Sequence, residues 1–586
     1  MNKAAIYHHC GDSWCYALDE HTLHIRIRTA QDDISLVEIV YADPFEVIEI
    51  NEKTVWNSDA APMTKEGTNG IHDFWEIRVQ APYKRLKYWF ILHKGKKNWT
   101  FGEKGLVKTI DRHNTWNTFI FPYIQSTEIF HAPSWAAETV WYQIFPDRFR
   151  NGNPDLNPEG TKDWQYGKVS NQEVYGGNLP GITEKLDHLV SLGFNGIYLT
   201  PIFSSPSVHK YDTTDYMKID PAFGTLEDLK TLVSECHNRG IRIILDAVFN
   251  HCGTKFAPWL DVLEHGEASR FKDWFLIDGF PLFTDEDRKW DGHKANFKTF
   301  AFWTGMPKLN TGNPETREYL LSVAEHWIRE CGIDGWRLDV ANEVDHEFWR
   351  AFRTRVKAVK SDAYIVGEIW HHAIDWLRGD QYDAVMNYHF GQALCGFLSS
   401  SKEIPDGRAL AARMTTLELS YPVNVIRSGF NLLDSHDTER LISVLGGSLA
   451  SARLAWLLLA LLPAPPCFYY GSEYALTGAH DPDCRRCMPW EEAHQDISQY
   501  EFIREIIALR KSHMALCGGG KREWLHDDSL PGLFGMRIAD GKESLTVLVN
   551  RGNKNIPRKK YGHLLDAVEK TSASFLDLAP LGYAVL

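Results

Sequence analysis

The sequence predicts an α/β protein: a (β/α)8 TIM barrel with an inserted subdomain after its third strand, an N-terminal β-sandwich ahead of it and a C-terminal β-domain behind it. Three observations carry this reading. Short apolar runs alternate with amphipathic helical patterns through the middle of the chain. Period-two alternation fills the region before residue 125, and short strand-like runs return after about Gly518.

In residues 1–125, Leu23, Ile25 and Ile27 alternate with His24, Arg26 and Arg28, and Leu86, Tyr88 and Phe90 alternate in the same way. Alternate side chains of a strand face opposite sides, so the pattern fits a small sandwich. A connecting stretch follows at about 122–135. The barrel region, 126–515, holds eight runs, at 140–145, 196–201, 241–246, 335–339, 364–368, 384–388, 430–434 and 467–471. Amphipathic helices lie between several of them, for example at 226–239 and 315–331. The gap between the third and fourth runs is too long for one helix and places the inserted subdomain at about 250–310. Residues 516–586 make the C-terminal β-domain, with a strand at 544–549.

Composition narrows the function. The chain has 586 residues and a net charge of −14, which argues against nucleic acid or an anionic membrane as the main partner. A hydrophobic share of 44% with 24% charged residues excludes a largely disordered chain. Aromatics reach 13%, and sugar rings are among the ligands that need ring faces. Ten cysteines are scattered without disulfide-dense spacing, and no apolar signal core follows Met1. The longest apolar stretch, 454–468, contains three prolines and is too short to span a bilayer. The expectation is a cytoplasmic protein with reduced thiols.

In a barrel, polar residues at the C-terminal strand ends line the open mouth. The third run leads into Asp246-Ala247-Val248-Phe249-Asn250-His251, and the fourth ends Arg337-Leu338-Asp339. The fifth ends Gly367-Glu368-Ile369-Trp370, and the seventh ends Asp434-Ser435-His436-Asp437. Singly, an Asp at a strand end is more often a helix cap or turn former, and His436 could be a core histidine. Together, the carboxylates, His251, His436 and Arg337 suit glycosidic cleavage. One carboxyl must be protonated to donate to the leaving oxygen, and another must be ionised to attack or stabilise the anomeric carbon. Arg337 precedes Asp339 by two residues, shares its strand face, and can hold it ionised.

These stretches resemble the motifs of the α-amylase family of glycoside hydrolases (family thirteen). Met306-Pro307-Lys308-Leu309-Asn310 and Val340-Ala341-Asn342-Glu343 resemble marks of its neopullulanase, cyclomaltodextrinase and maltogenic amylase group. The resemblance covers essentially the whole chain. It implies that Asp339 is the nucleophile, Glu368 the general acid/base, and Asp437 a stabiliser of an oxocarbenium-like sugar. It implies that Arg337 orients Asp339, that His251 and His436 bind the sugar in subsite −1, and that Tyr211 stacks on that sugar. The resemblance also implies that Asp246 supports the site and that Asp481 and Arg485 contact the −2 sugar. It further implies that Trp370 lies beside subsites +1 and +2 and that Glu343 favours transfer and α-1,6 handling. Retention is implied, with the carboxyls of Asp339 and Glu368 about 5–5.5 Å apart. So is a homodimer or larger assembly, in which the N-terminal domain narrows a neighbour's cleft.

The expected activity is hydrolysis of α-1,4 bonds in cyclodextrins, maltooligosaccharides and pullulan, with some transglycosylation. The nearest alternative favours α-1,6 bonds or transfer. Alternatives of other classes are a non-catalytic glucan-binding protein on the same barrel and a metal-dependent hydrolase. No organic cofactor is expected. The group often binds calcium near the end of the first strand, where Asn151, Asn153, Asn157, Gly176 and Asn178 stand here. The family usually has an Asp at the place of Asn178, and calcium gains from charged oxygens, so the expected site is a weak one. Trp290, Phe297, Phe300 and Phe302 either line the acceptor side or form a lid packed on itself. Gly471-Ser472-Glu473 departs from the usual Gly-Asp-Glu. Cys484-Arg485-Arg486-Cys487 lacks a second pair and carries no metal or redox expectation.

Overall fold

The computed structural model describes residues 1–113, 115–284, 290–565 and 577–586. The chain forms two compact units. The first comprises Met1–His131 with two later stretches, Ile374–Asp380 and Arg408–Ile426; the second holds the remainder.

In the first unit, one antiparallel sheet runs in the order Cys15–Ala17, Thr22–Ala30, His72–Gln80, Thr64–Thr68. The other runs Gly105–Val107, Lys97–Gly102, Leu86–Lys94, Leu36–Ala42, Asp59–Pro62. Leu23, Ile25 and Ile27 of one sheet pack with Val37, Ile39, Phe90 and Leu92 of the other. The alternation read in the sequence thus marks the inner face. On the outer face His24 and Arg26 are buried as well. The stretch Arg408–Ile426 covers them: Arg26 donates to the Leu419 carbonyl at 3.2 Å and the Val423 N–H donates to Tyr16 at 3.1 Å. Arg26 keeps its charge there through Glu66, with Nε to Oε2 at 2.7 Å.

The second unit is built on a closed parallel barrel of eight strands. In order they are Trp141–Ile144, Gly196–Leu199, Arg242–Ala247, Gly335–Leu338, Tyr364–Gly367, Ala384–Asn387, Phe430–Leu432 and Pro466–Tyr469. The last pairs with the first, Cys467 opposite Trp141. All eight coincide with the apolar runs of the sequence. Their residues are buried on both faces because helices cover the outside. Those helices carry local stop and start signals. Leu226–Asn238 begins with a capping box between Thr225 and Asp228. Pro314–Cys331 is capped by Asn313 and ends at Gly332 in the left-handed region. The long apolar stretch 454–468 resolves into the end of helix Leu449–Leu461 and the eighth strand. No helix among the described residues is long and apolar enough to cross a membrane.

Inside the barrel, composition changes along the strands. Trp141, Tyr198, Ile244, Tyr364 and Phe430 fill one end, with Trp141 stacked on Tyr364 at 5.8 Å. Two residues further on, Gln143 follows Trp141 and Asp246 follows Ile244, so the inward face turns polar towards the C-terminal mouth.

After the third strand the chain folds back in a ladder of isolated bridges, including His251 with Lys308 and Ile277 with Phe297. The expected subdomain is this excursion. Beyond helix Ile497–Ser512 lies a four-stranded antiparallel sheet, Lys521–Leu525, Leu533–Ala539, Ser544–Asn550 and Gly582–Val585.

Candidate active site

One buried cation gathers the mouth of the barrel. Arg337 points inward from the fourth strand and is fully buried. Its Nη1 donates to Asp246 Oδ1 at 3.0 Å and Oδ2 at 2.9 Å, and to Asp339 Oδ1 at 2.9 Å. Its Nη2 lies 3.0 Å from Glu368 Oε2. Carboxylates from three successive strand ends therefore share one guanidinium, whose planar fork suits such a task. Asp246 also accepts hydrogen bonds from Tyr198 at 2.7 Å and Tyr211 at 3.0 Å.

Glu368 follows the fifth strand directly. Its Oε2 accepts the Val340 N–H at 3.0 Å. That N–H is presented because Val340 sits at φ 45°, a region β-branched residues rarely enter and which costs about 1–3 kcal/mol. Oε1 accepts Trp370 Nε1–H at 2.9 Å. The Trp370 ring lies flat on Tyr388, with centroids 3.6 Å apart. Each Glu368 oxygen thus accepts one hydrogen bond, and Oε2 also faces the Arg337 cation.

Asp437 approaches from the seventh strand end. His436 Nε2 lies 3.1 Å from Asp437 Oδ2, and Arg485 Nη2 lies 3.5 Å from Oδ1. Arg485 also donates from Nε to the His436 carbonyl at 2.8 Å and pairs with Asp481 at 2.8 Å. Gln143 meets His436 Nδ1 at 2.6 Å, and the Tyr211 hydroxyl is hydrogen-bonded to His436 Nε2. With the Gln143 amide donating to Nδ1, the neutral ring carries its proton on Nε2.

The electrostatics follow from four buried carboxyl groups beside two guanidiniums, Arg337 and Arg485. Burial pushes Asp339 well above the usual carboxylate range; Arg337 opposes this, and Glu368, Asp246 and Asp437 add to it. Asp437 is pushed up to about 7, first by burial and then by the charge of Glu368, against Arg337 and Arg485. Burial also raises Asp246, again against Arg337. His436 is driven far down by burial and then by Arg485 and Arg337; His251 is lowered to about 3 by burial and Lys308. Both imidazoles are therefore neutral near pH 7 and act as hydrogen-bonding groups. The ionised form of each carboxyl is disfavoured by burial, so a positive charge arriving at the centre, such as an oxocarbenium-like sugar brings, would be stabilised by whichever of them are ionised.

His251 is buried with Nε2 lacking a partner, and its ring stacks on Phe300 at 4.9 Å. Of the other aromatics in the excursion, Phe297 packs inward on Trp259 at 4.8 Å, while Phe302 stacks on His293 at 3.8 Å. Residues 285–289 of that segment lie outside the described residues. Glu343 ends the short turn Ala341–Glu343 that follows the fourth strand. It pairs with Lys308 Nζ at 2.9 Å, and that ammonium also donates to Asn250 Oδ1. Gln143 and Tyr388 are parts of the site that the sequence reading did not single out, and Val340, read there only as part of a motif, gains a role at Glu368. Tyr388 had a positional signal, since it immediately follows the sixth strand.

The five positions considered for calcium also come together, but around a nitrogen. Asn178 Nδ2 lies 3.3 Å from Asn151 Oδ1, 3.1 Å from the Asn153 carbonyl and 3.0 Å from the Gly176 carbonyl. Asn151 Nδ2 in turn donates to Asn157 Oδ1 at 2.9 Å. A donor at the centre and no carboxylate among the five do not fit a divalent cation, which needs converging oxygens.

Fold and site together define a barrel glycosidase: a closed parallel barrel whose strand ends deliver an Asp, a Glu and a second Asp to one buried cluster. Residues 143–519 match the family described as alpha amylase, catalytic domain, and residues 1–125 match alpha amylase, N-terminal ig-like domain. The chain is 47% identical over 554 residues to a cyclomaltodextrinase of Geobacillus thermopakistaniensis, covering 94% of this chain and 92% of that one. It is 44% identical over 559 residues to neopullulanase 2 of Thermoactinomyces vulgaris, covering 94% and 92%. A solved cyclomaltodextrinase structure superposes with a TM-score of 0.89 at 41% identity, covering 95% of this chain and 92% of that one. The protein belongs to the α-amylase family, in its neopullulanase, cyclomaltodextrinase and maltogenic amylase group, and is an α-glucan hydrolase.

Proposed function

We propose that the protein hydrolyses α-1,4 bonds of cyclodextrins, maltooligosaccharides and pullulan with retention, through a covalent glycosyl-Asp339 intermediate, and with some transfer to sugar acceptors. The observation that carries this reading is the Arg337 fork holding Asp339 and Glu368 side by side. In the first step Glu368 gives its proton to the glycosidic oxygen, the bond from that oxygen to C1 breaks, and Asp339 Oδ forms an ester with C1. In the second, Glu368 takes a proton from water, the oxygen of that water bonds to C1, and the carboxylate of Asp339 is released. A sugar hydroxyl in place of water gives transfer. Asp437 and the neutral His436 and His251 hold the −1 sugar; the Trp370–Tyr388 stack offers a ring face to the acceptor, and Asp481 and Arg485 serve the −2 sugar.

Relatives named for cyclomaltodextrin and pullulan support the substrate class. Initial rates on β-cyclodextrin, soluble starch and pullulan, with products identified, test it. A highest rate on cyclodextrin with maltose or panose as products is the expected outcome. Fastest cleavage of starch to long oligosaccharides would refute the substrate assignment.

We also infer a homodimer. The first unit exposes Phe45, Val47, Ile48, Ile50 and Trp116, large apolar side chains of the kind a partner subunit covers. Light scattering checks this, and a fully active monomer would end the idea. Ten free thiols support a reducing compartment, consistent with the cytoplasm.

A further inference from the structure

The loop that follows the first barrel strand is pinned by one side chain. Asn178 is fully buried and caps helix Leu179–Glu184. Its Oδ1 accepts two backbone N–H groups, from Gly181 at 3.0 Å and from Gly152 at 3.2 Å. Those two donors fix which way the amide faces: the oxygen must meet the N–H groups, so the NH₂ must point the other way. On that other side stand the oxygens of Asn151, Asn153 and Gly176. Asn157 closes the ring through Asn151, and Gly176 has no room for a side chain, since a Cβ there would meet Asn157 Oδ1 at 2.3 Å.

We propose that the Asn178 amide nitrogen takes the place of a structural calcium ion, so that this loop is cross-linked by hydrogen bonds and the protein neither binds calcium there nor needs it. The argument is one of donors and distances. Three oxygens at 3.0–3.3 Å from a central nitrogen are at hydrogen-bond range, whereas calcium draws its oxygens to about 2.3–2.6 Å. The surrounding oxygens belong to two carbonyls and neutral amides, so no net negative charge calls for a cation. Changing the nitrogen to an oxygen reverses the situation. In Asn178→Asp, one carboxylate oxygen keeps the two backbone N–H groups while the other faces three oxygens. That arrangement is repulsive unless a cation enters it.

The test is thermal unfolding and calorimetric titration of the full chain with calcium chloride, in the native protein and in Asn178→Asp. The native protein should keep one melting temperature in excess EDTA and in excess calcium, and should give no one-site calcium isotherm. Asn178→Asp should melt roughly 3–6 °C lower in EDTA. It should recover in calcium and bind one ion. A saturable isotherm for the native protein, or a melting temperature that falls in EDTA, would overturn the proposal. So would an Asn178→Asp variant as stable as the native protein without calcium, or one that calcium does not restore. Should that variant fail to fold, Asn178→Ala serves instead, since it removes the donor without supplying a charge. It should be destabilised equally in EDTA and calcium, and a calcium-dependent stability would overturn the idea.

Discussion

Arg337→Lys is the sharpest perturbation of this site. Lysine keeps the charge but replaces a planar fork with a single ammonium. Of the four contacts that Nη1 and Nη2 make with Asp246, Asp339 and Glu368, one ammonium can keep about half. Two lost charge-assisted contacts at about 1.5–2 kcal/mol each amount to about 3–4 kcal/mol, or about 10²–10³-fold in rate if they act in the transition state. A second effect has a definite sign. Arg337 is the group that opposes the upward push on Asp339. Weakening it raises that carboxyl further, so the acid limb of activity, which needs Asp339 ionised, moves to higher pH. The assay is kcat/KM on β-cyclodextrin from pH 4 to 9, with melting temperature measured alongside to separate folding from chemistry. A folded variant within about 3-fold of the native rate, with an unmoved acid limb, would refute the reasoning.

Three further outcomes are expected. Glu368→Gln should lower turnover by about 10²–10⁴-fold, the usual worth of general acid–base help, and kcat on β-cyclodextrin checks this. Asp437→Asn should lose activity yet gain stability in alkali. The folded-state value of about 7 lies above the unfolded one of about 3.9, so the stability tied to a neutral Asp437 is present below pH 4 and lost as pH rises to 7. The variant escapes that loss and should melt about 1–3 °C above the native protein at pH 8 but not at pH 4; the side chain is 30% exposed, which keeps the gain small. Trp370→Ala removes both the ring stacked on Tyr388 and the donor to Glu368, and should cut transfer to a glucose acceptor by about 10-fold. Product ratios by chromatography decide it.

The barrel was legible because each strand is a short run buried on both faces and flanked by helical periodicity. Trp141–Ile144 and Gly335–Leu338 need no tertiary knowledge to be picked out. The convergence of Asp246, Arg337, Asp339 and Glu368 was legible for a related reason, since strand ends in a barrel share one mouth. Other features depend on partners distant in sequence. The burial of His24 and Arg26 comes from Arg408–Ile426, far along the chain, and leaves no mark in their own strand. The left-handed backbone of Val340 leaves no compositional mark, because valine is the residue least expected there. Phe300 and Phe297 are alike as letters and diverge only when one stacks on His251 and the other turns into the excursion.

The cover on the polar face of Thr22–Ala30 has a consequence for how the protein is made. The first unit needs residues up to Ile426, so about 300 residues must be synthesised after His131 before its last piece exists. At about 5–20 residues per second that is a wait of about 15–60 s, long compared with the folding of a small domain. During that interval the nascent chain carries a half-clad sheet whose histidine and arginine, buried in the finished fold, still face water. A genetic fragment cut at the apparent domain border inherits the same defect for good, so shuffling N-terminal domains among relatives calls for moving two distant segments with them.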